Sequence, residues 1–116
     1  MSDVAALRPK CSPEDARSVA RDRWALDARE LEELPSDRDR NFRLTDGEGR
    51  SYLLKIASAA DSASELRLQH AAMAALHATD PRAYPLPLPG GDGDTLQSVS
   101  LPGGREHRAH LVTWIP

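Results

Sequence analysis

The chain has 116 residues and a mass of 12.7 kDa, which fits a single domain with one modest core. Hydrophobic residues make up 40% and charged residues 28%, so the composition is that of a folding chain and not of a disordered tail. The net charge of −3 lacks the basic excess that binding to a nucleic-acid backbone requires. Cys11 is the only cysteine, and no apolar run approaches the roughly 18 residues of a membrane span. We therefore expect a cytoplasmic domain without nucleic-acid or membrane partners.

The N-terminal part predicts an arm followed by a helix. Residues 1–11 show no periodic pattern, so we expect a loose arm. A helix over residues 13–24 is predicted by Ser12 as the N-cap and Pro13 at the first helical position. Its apolar positions recur every three to four residues: Ala16, Val19, Ala20 and Trp24.

From Ala28 the apolar period changes to two, which predicts three antiparallel strands. The second and third strands contain Phe42 and Leu44, then Tyr52, Leu54 and Ile56, with a turn at residues 46–49. Residues 35–40 join the first two strands and are polar enough to predict an exposed loop.

A second helix is predicted over residues 62–77, where Ser62 and Glu65 have the spacing of a capping box. We expect its apolar side to consist of Leu66, Ala72, Met73 and Leu76. Residues 79–94 are rich in proline and glycine and predict a connector, and two strands are expected at 95–100 and 107–115.

This order of elements predicts an α+β fold, a five-stranded antiparallel sheet with one packed helix and an N-terminal helix. The sequence stops at Trp114, Ile115 and Pro116, in the middle of the last apolar strand. We therefore expect a piece of a longer chain. We also expect the final strand to be an unpaired edge that supports self-association.

Lys55 is the strongest single candidate for a functional residue. It lies within the apolar strand Leu53 to Ile56, where an unpaired charge would be costly. One interpretation is a phosphate-contacting lysine held by an acid of the following helix, and the other is an edge-strand lysine that reaches solvent. Glu65 or Gln69 could meet Lys55 from that helix, although Glu65 also fits the capping role.

Other polar constellations do not predict a metal or catalytic site. His107 and His110 are three apart on a strand and point to opposite faces, so we expect two surface histidines. Asp37 and Asp39 alternate with arginines and indicate a solvated charge cluster. Cys11 has no basic partner nearby in the sequence and is interpreted as incidental.

Four stretches together resemble the N-terminal lobe of the aminoglycoside phosphotransferase and choline kinase superfamily, and most of all its hydroxylysine kinase type. They are residues 34–44, 52–56, 68–69 and 111–116, and the resemblance covers residues 12–116. It implies ATP as the nucleotide, with the catalytic Asp and the magnesium ligands in a C-terminal lobe outside this chain. It therefore implies no catalytic residue and no metal site in residues 12–116.

The resemblance also assigns roles to individual residues. Residues 36–40 resemble the loop over the phosphates, with Ser36 as a donor, and Lys55 resembles the lysine that contacts the α and β phosphates. Leu34, Phe42 and Leu53 are implied as the adenine roof, and Thr113, Trp114 and Ile115 as the hinge. The full implied set of nucleotide contacts adds Asp37, Glu65 and Gln69.

Two departures leave the function open. The loop lacks the glycines of protein-kinase phosphate loops, and the helix acid aligns best with the neutral Gln69. One hypothesis is thus the nucleotide-binding lobe of a small-molecule phosphotransferase. The other is a non-catalytic regulatory or interaction module of a larger protein with a class III, pyridoxal-phosphate aminotransferase.

Overall fold

The computed structural model describes residues 8–102 and 104–116, which contain two helices and five strands. The helices are α1 (Pro13–Trp24) and α2 (Ala63–Thr79). The strands are β1 (Glu30–Leu34), β2 (Arg40–Thr45), β3 (Ser51–Ile56), β4 (Gln97–Ser100) and β5 (Glu106–Thr113). This order confirms the predicted sequence of a helix, three strands, a helix and two strands.

All strand pairs are antiparallel, and the sheet order is β1-β2-β3-β5-β4. The predicted fold class is therefore confirmed. The expectation that the final strand is an unpaired edge is wrong, because β5 lies between β3 and β4. β4 pairs with only part of β5, and the connector of residues 79–94 pairs with the rest. The Leu88 N–H donates to Leu111 O at 2.8 Å, and Pro87 forms a β-bridge with Val112. The fold therefore does not support self-association through this strand.

Helix α1 begins at a reciprocal capping box. The Asp15 N–H donates to the Ser12 hydroxyl at 3.1 Å, and the Ser12 N–H donates to the Asp15 carboxylate at 3.0 Å. The helix packs on one face of the sheet, and the core lies between them. That core contains Ala16, Val19 and Ala20 of α1 together with Phe42, Leu44, Leu54, Ile56 and Leu111 of the strands.

Helix α2 approaches the opposite face of the sheet. The Ser62 hydroxyl accepts from the Glu65 N–H at 3.2 Å, as predicted for the N-cap. Of the predicted apolar side, Leu66 is buried and Met73 is half-buried, but Ala72 and Leu76 are exposed, so the prediction is wrong at those two positions. The polar His70 is buried as well. The helix contacts the sheet along the row of positions 66 and 70, which the polar His70 concealed in the sequence.

The part of the predicted arm that the structure describes, residues 8–11, is packed and not loose. Arg8 donates to the carbonyls of Ser36 and Asp39, and Pro9 O accepts from the Arg40 guanidinium at 3.0 Å. Cys11 is buried in the core, where desolvation raises the pKa of its thiol to about 12. This thiol is therefore unsuited to nucleophilic chemistry. Residues 1–7 lie outside the described residues.

Neither helix in the described part of the chain is long and apolar enough to cross a membrane.

We predict that Leu54→Ala lowers the free energy of unfolding by about 2–5 kcal/mol, because it removes a fully buried side chain from the core. Leu68→Ala is the matched control, because Leu68 is 72% exposed, and it should change stability by less than about 0.5 kcal/mol. Urea denaturation measures both. Equal losses for the two variants would contradict this assignment of the core.

Candidate functional site

The face of the sheet opposite α1 carries a row of polar side chains across its central strands. Lys55 on β3 is in register with Asn41 on β2 and with His110 on β5. Since side chains alternate along a strand, these three residues share one face, while Leu54 and Ile56 enter the core on the other. We refer to this surface as the open face.

Lys55 is half-buried on the open face and forms an ion pair with the β1–β2 loop. Its Nζ lies 3.1 Å from Asp39 Oδ2, with the two side chains 27% and 16% exposed. The prediction that Glu65 or Gln69 of the following helix meets Lys55 is wrong, because both side chains are exposed. The helix turns Leu66 and His70 toward the sheet instead. The alternative of an edge-strand lysine is also wrong, since β3 lies inside the sheet.

Asp39 anchors the loop of residues 35–39 to the end of β3. Its Oδ1 accepts from the Ser58 N–H at 3.1 Å, while its Oδ2 faces Lys55. Its own N–H donates to the Ser36 hydroxyl at 3.2 Å, and its carbonyl accepts from Arg8. The interpretation of Asp39 as part of a solvated cluster is therefore wrong. Its side chain contacts the Ser58 backbone and Lys55, and its backbone contacts Ser36 and Arg8.

The other loop residues lie nearer to solvent. Ser36 is half-buried and accepts from Asp39, which leaves its hydroxyl proton available for donation. Asp37 is exposed, and Arg38 reaches across to Asp61 at 3.0 Å. The prediction of an exposed loop fits Asp37 and Arg38, whereas Ser36 and Asp39 form its attached base.

The residues implied as an adenine roof do not lie on one face. Leu34 and Leu53 are half-buried and lie on the same face as Lys55. Phe42 is fully buried in the core on the other face, so its assignment to the roof is wrong. Phe42 is in register with Leu54, one residue away from Lys55, and alternation sends it to the α1 side.

Arg43 occupies the open face beside Leu53 and was not identified from the sequence. Its guanidinium carbon lies 4.4 Å from the centre of the Trp114 ring, a cation–π contact, and its Nη2 donates to Ser51 Oγ at 3.3 Å. The buried Arg43 Nε has no hydrogen-bond partner among the described residues. The strict alternation of β2 is the sequence signal that places Arg43 on the side of Lys55.

Residues 113–115 are the last residue of β5 and the two that follow it, and they lie at the end of the open face. The Thr113 N–H donates to Leu86 O at 3.1 Å, and the Trp114 N–H lies 3.4 Å from Ser51 O. The Thr113 hydroxyl accepts from the Leu86 N–H at 2.9 Å. Within residues 8–102 and 104–116, the Ile115 N–H has no hydrogen-bond partner. Two of the three expected hinge amides are thus already used by the fold.

A histidine pair joins α2 to the open face next to Lys55. His70 Nε2 lies 2.6 Å from His110 Nδ1, and His70 Nδ1 lies 2.8 Å from Thr95 Oγ1. Burial, together with the proximity of His70 and Lys55, lowers the pKa of His110 to about 3. Burial and the nearby Arg67 also lower the pKa of His70. Both rings are therefore neutral near pH 7, and one donates a hydrogen bond to the other.

The expectation of two surface histidines is wrong. His107 and His110 do point to opposite faces, but each is only 4% exposed. His107 Nδ1 lies 2.9 Å from Ala57 O, so this ring fastens β5 to the end of β3. Within the described residues, no group of three or more His, Cys, Asp or Glu side chains could hold a metal ion.

The fold has the architecture of the N-terminal lobe of kinase-like phosphotransferases. The model of the phosphotransferase enzyme family matches residues 30–116, so the chain belongs to that family. The resemblance to the aminoglycoside phosphotransferase and choline kinase superfamily is thereby confirmed. The hydroxylysine kinase type stays a prediction.

A solved structure with a similar fold is that of a spectinomycin phosphotransferase in complex with ADP and spectinomycin. The TM-score is 0.68 at 11% sequence identity, with 92% of this chain covered. The chain spans only 30% of the length of that phosphotransferase. No curated protein matches the chain.

We predict that the histidine pair makes the stability of the protein fall as the pH falls from about 6.5 toward 3. An unfolded His110 takes up a proton near its ordinary pKa of 6.5, whereas the folded state holds that pKa at about 3. Stability from the neutral pair is therefore complete above pH 6.5 and is lost progressively below it. The free energy of unfolding, measured by urea denaturation between pH 7.5 and 5.5, should show this slope, and His110→Gln should reduce it. An unchanged slope in that variant would contradict the assignment.

Proposed function

We propose that this chain is the nucleotide-binding N-terminal lobe of an ATP-dependent phosphotransferase that acts on a small molecule. The observation that carries the proposal is Lys55, a half-buried cation in the middle of the open face that already has one carboxylate partner. Membership of the phosphotransferase family supports it.

The ammonium group of Lys55 has the chemistry that a phosphate contact requires. It has three N–H donors, and Asp39 is its one ion-pair partner among the described residues. The remaining donors can bind phosphate oxygens, and partial burial strengthens such a charge-assisted bond relative to one in open water. The loop of residues 35–39 lies beside the Lys55 ammonium group, and its Ser36 hydroxyl and backbone amides are further donors for phosphate.

The base would lie along the open face, away from Lys55 and toward residues 113–115. Leu34 and Leu53 supply apolar surface on this face, whereas Phe42 does not. We propose that Ile115 provides the hinge amide for the edge of the base, because the Thr113 and Trp114 amides are occupied. Arg43 and Trp114 would then border the base as a stacked pair.

The groups that perform phosphoryl transfer belong, in this proposal, to a further lobe. The chain spans 30% of the length of the spectinomycin phosphotransferase, whose structure contains ADP and spectinomycin. We propose that the catalytic Asp, the magnesium ligands and the acceptor site lie in that lobe. Since ATP is its substrate, we expect the protein in the cytoplasm.

The nucleotide site is tested by exchanging lysines, because Lys10 and Lys55 are the only two in the chain. We predict that Lys55→Ala weakens the binding of magnesium-ATP about 10- to 100-fold, since it removes a charge-assisted phosphate contact. Lys10→Ala is the matched control, because Lys10 is exposed, and it should leave binding unchanged. Isothermal titration calorimetry measures both affinities.

An amine-reactive label read by mass spectrometry gives a second test on the unmutated protein. ATP should protect Lys55 from the label and leave the labelling of Lys10 unaltered. Saturable ATP binding that neither depends on Lys55 nor protects it would contradict the proposed site. Absence of ATP binding by a protein that also contains the further lobe would favour the regulatory or interaction module.

A further inference from the structure

The carboxylate that pairs with Lys55 belongs to the β1–β2 loop and not to helix α2. Helix α2 turns Leu66 and His70 toward the sheet, while Glu65 and Gln69 are exposed. Both ring nitrogens of His70 are hydrogen-bonded, Nε2 with His110 and Nδ1 with Thr95. The helix therefore meets this part of the open face with a neutral ring and brings no negative charge to Lys55.

The neighbouring strands supply no anion either. The residues in register with Lys55 are Asn41 on β2 and His110 on β5, both without negative charge. Asn41 Oδ1 is buried and has no hydrogen-bond partner among the described residues, so it does not hold the ammonium group. In the described part of the chain, Asp39 is the only carboxylate within 4.0 Å of Lys55 Nζ.

The Asp39 carboxylate is fixed before any ligand binds. One oxygen accepts from the Ser58 N–H at 3.1 Å, and the other lies 3.1 Å from Lys55 Nζ. The backbone of Asp39 is held as well, by Ser36 and Arg8. Because these contacts already restrain the Asp39 carboxylate, it loses little additional conformational entropy when it orients the lysine.

From this arrangement we infer that Asp39 is the positioning residue for Lys55, which takes the place of a helix acid and couples the lysine to the loop that borders the phosphates. The inference rests on the proposed function and deepens it. Asp39 orients the ammonium group through one oxygen, and the other ammonium donors face the phosphate oxygens of ATP. The position of the loop, and not that of α2, then sets the position of the lysine.

We predict that Asp39→Asn weakens the binding of magnesium-ATP about 5- to 10-fold and leaves the binding of adenosine unchanged. The amide keeps an oxygen for Ser58 but loses the negative charge that orients Lys55. Asp39→Glu should recover part of the affinity. Asp27→Asn is the matched control, because Asp27 is exposed and lies outside the proposed site, and it should leave both ligands unaffected. Calorimetry on the whole protein measures all affinities, and thermal unfolding verifies that each variant folds.

The double variant separates this inference from the proposed function. If Asp39 acts through Lys55, Asp39→Asn should cause no further loss of ATP affinity in the Lys55→Ala background. A loss that Lys55→Ala causes and Asp39→Asn does not would overturn the inference and leave the proposed function intact. Tighter ATP binding by Asp39→Asn would also overturn it, because Asp39 would then compete with the phosphates. Failure of Lys55→Ala to weaken ATP binding would overturn both.

Should Asp39→Asn destabilise the fold, the conservative variant Asp39→Glu and reductively methylated protein provide a readout that needs no nucleotide. The two methylated lysines give separate NMR resonances, and fixed orientation by Asp39 predicts that only the Lys55 resonance moves in Asp39→Glu, with Lys10 as the internal reference. An unmoved Lys55 resonance would overturn the inference.

Discussion

The ion pair between Lys55 and Asp39 ties the polar β1–β2 loop to the middle of the sheet. A lysine in an interior strand requires an anion, because a half-buried charge without a partner is destabilising. Asp39 meets this requirement and also accepts from Ser58, so the β1–β2 loop is fastened at the end of β3. The sheet can carry such a pair because the core with α1 occupies its other face. Stability and the candidate site are thus divided between the two faces.

Helix α2 lies beside Lys55 but does not supply its carboxylate partner. It docks through His70 and His110, a pair whose hydrogen bond exists only while at least one ring nitrogen between them is unprotonated. The histidine contact of the helix is therefore neutral and pH-sensitive, and a charged pair between Arg67 and Asp94 at 2.9 Å holds the helix as well. The histidine pair adjoins Lys55 on the open face, so the Lys55 cation also disfavours protonation of His110. The Lys55 cation thus helps to keep the histidine contact neutral.

Local signals in the sequence predict the helices and strands well, but they do not predict which residues pair in the candidate site. Ser12, Pro13 and Asp15 predict the start of α1 because caps act over three residues. Phe42 could also have been placed correctly, since the turn at residues 46–49 fixes the register and pairs Phe42 with Leu54 on the side opposite Lys55. The Lys55–Asp39 pair could not, because it joins residues 16 positions apart through the path of an irregular loop. The same holds for His70 and His110, which are 40 positions apart.

We expect the open face to bind a nucleotide beside Lys55 and Asp39. Backbone amide resonances recorded during a titration with magnesium-ATP test it most directly, because they locate the ligand without a mutation. We expect saturable shifts at residues 36–40, at Lys55 and at residues 113–115, with the amides of α1 unaffected. Shifts confined to α1, or no shifts at millimolar ATP, would contradict it.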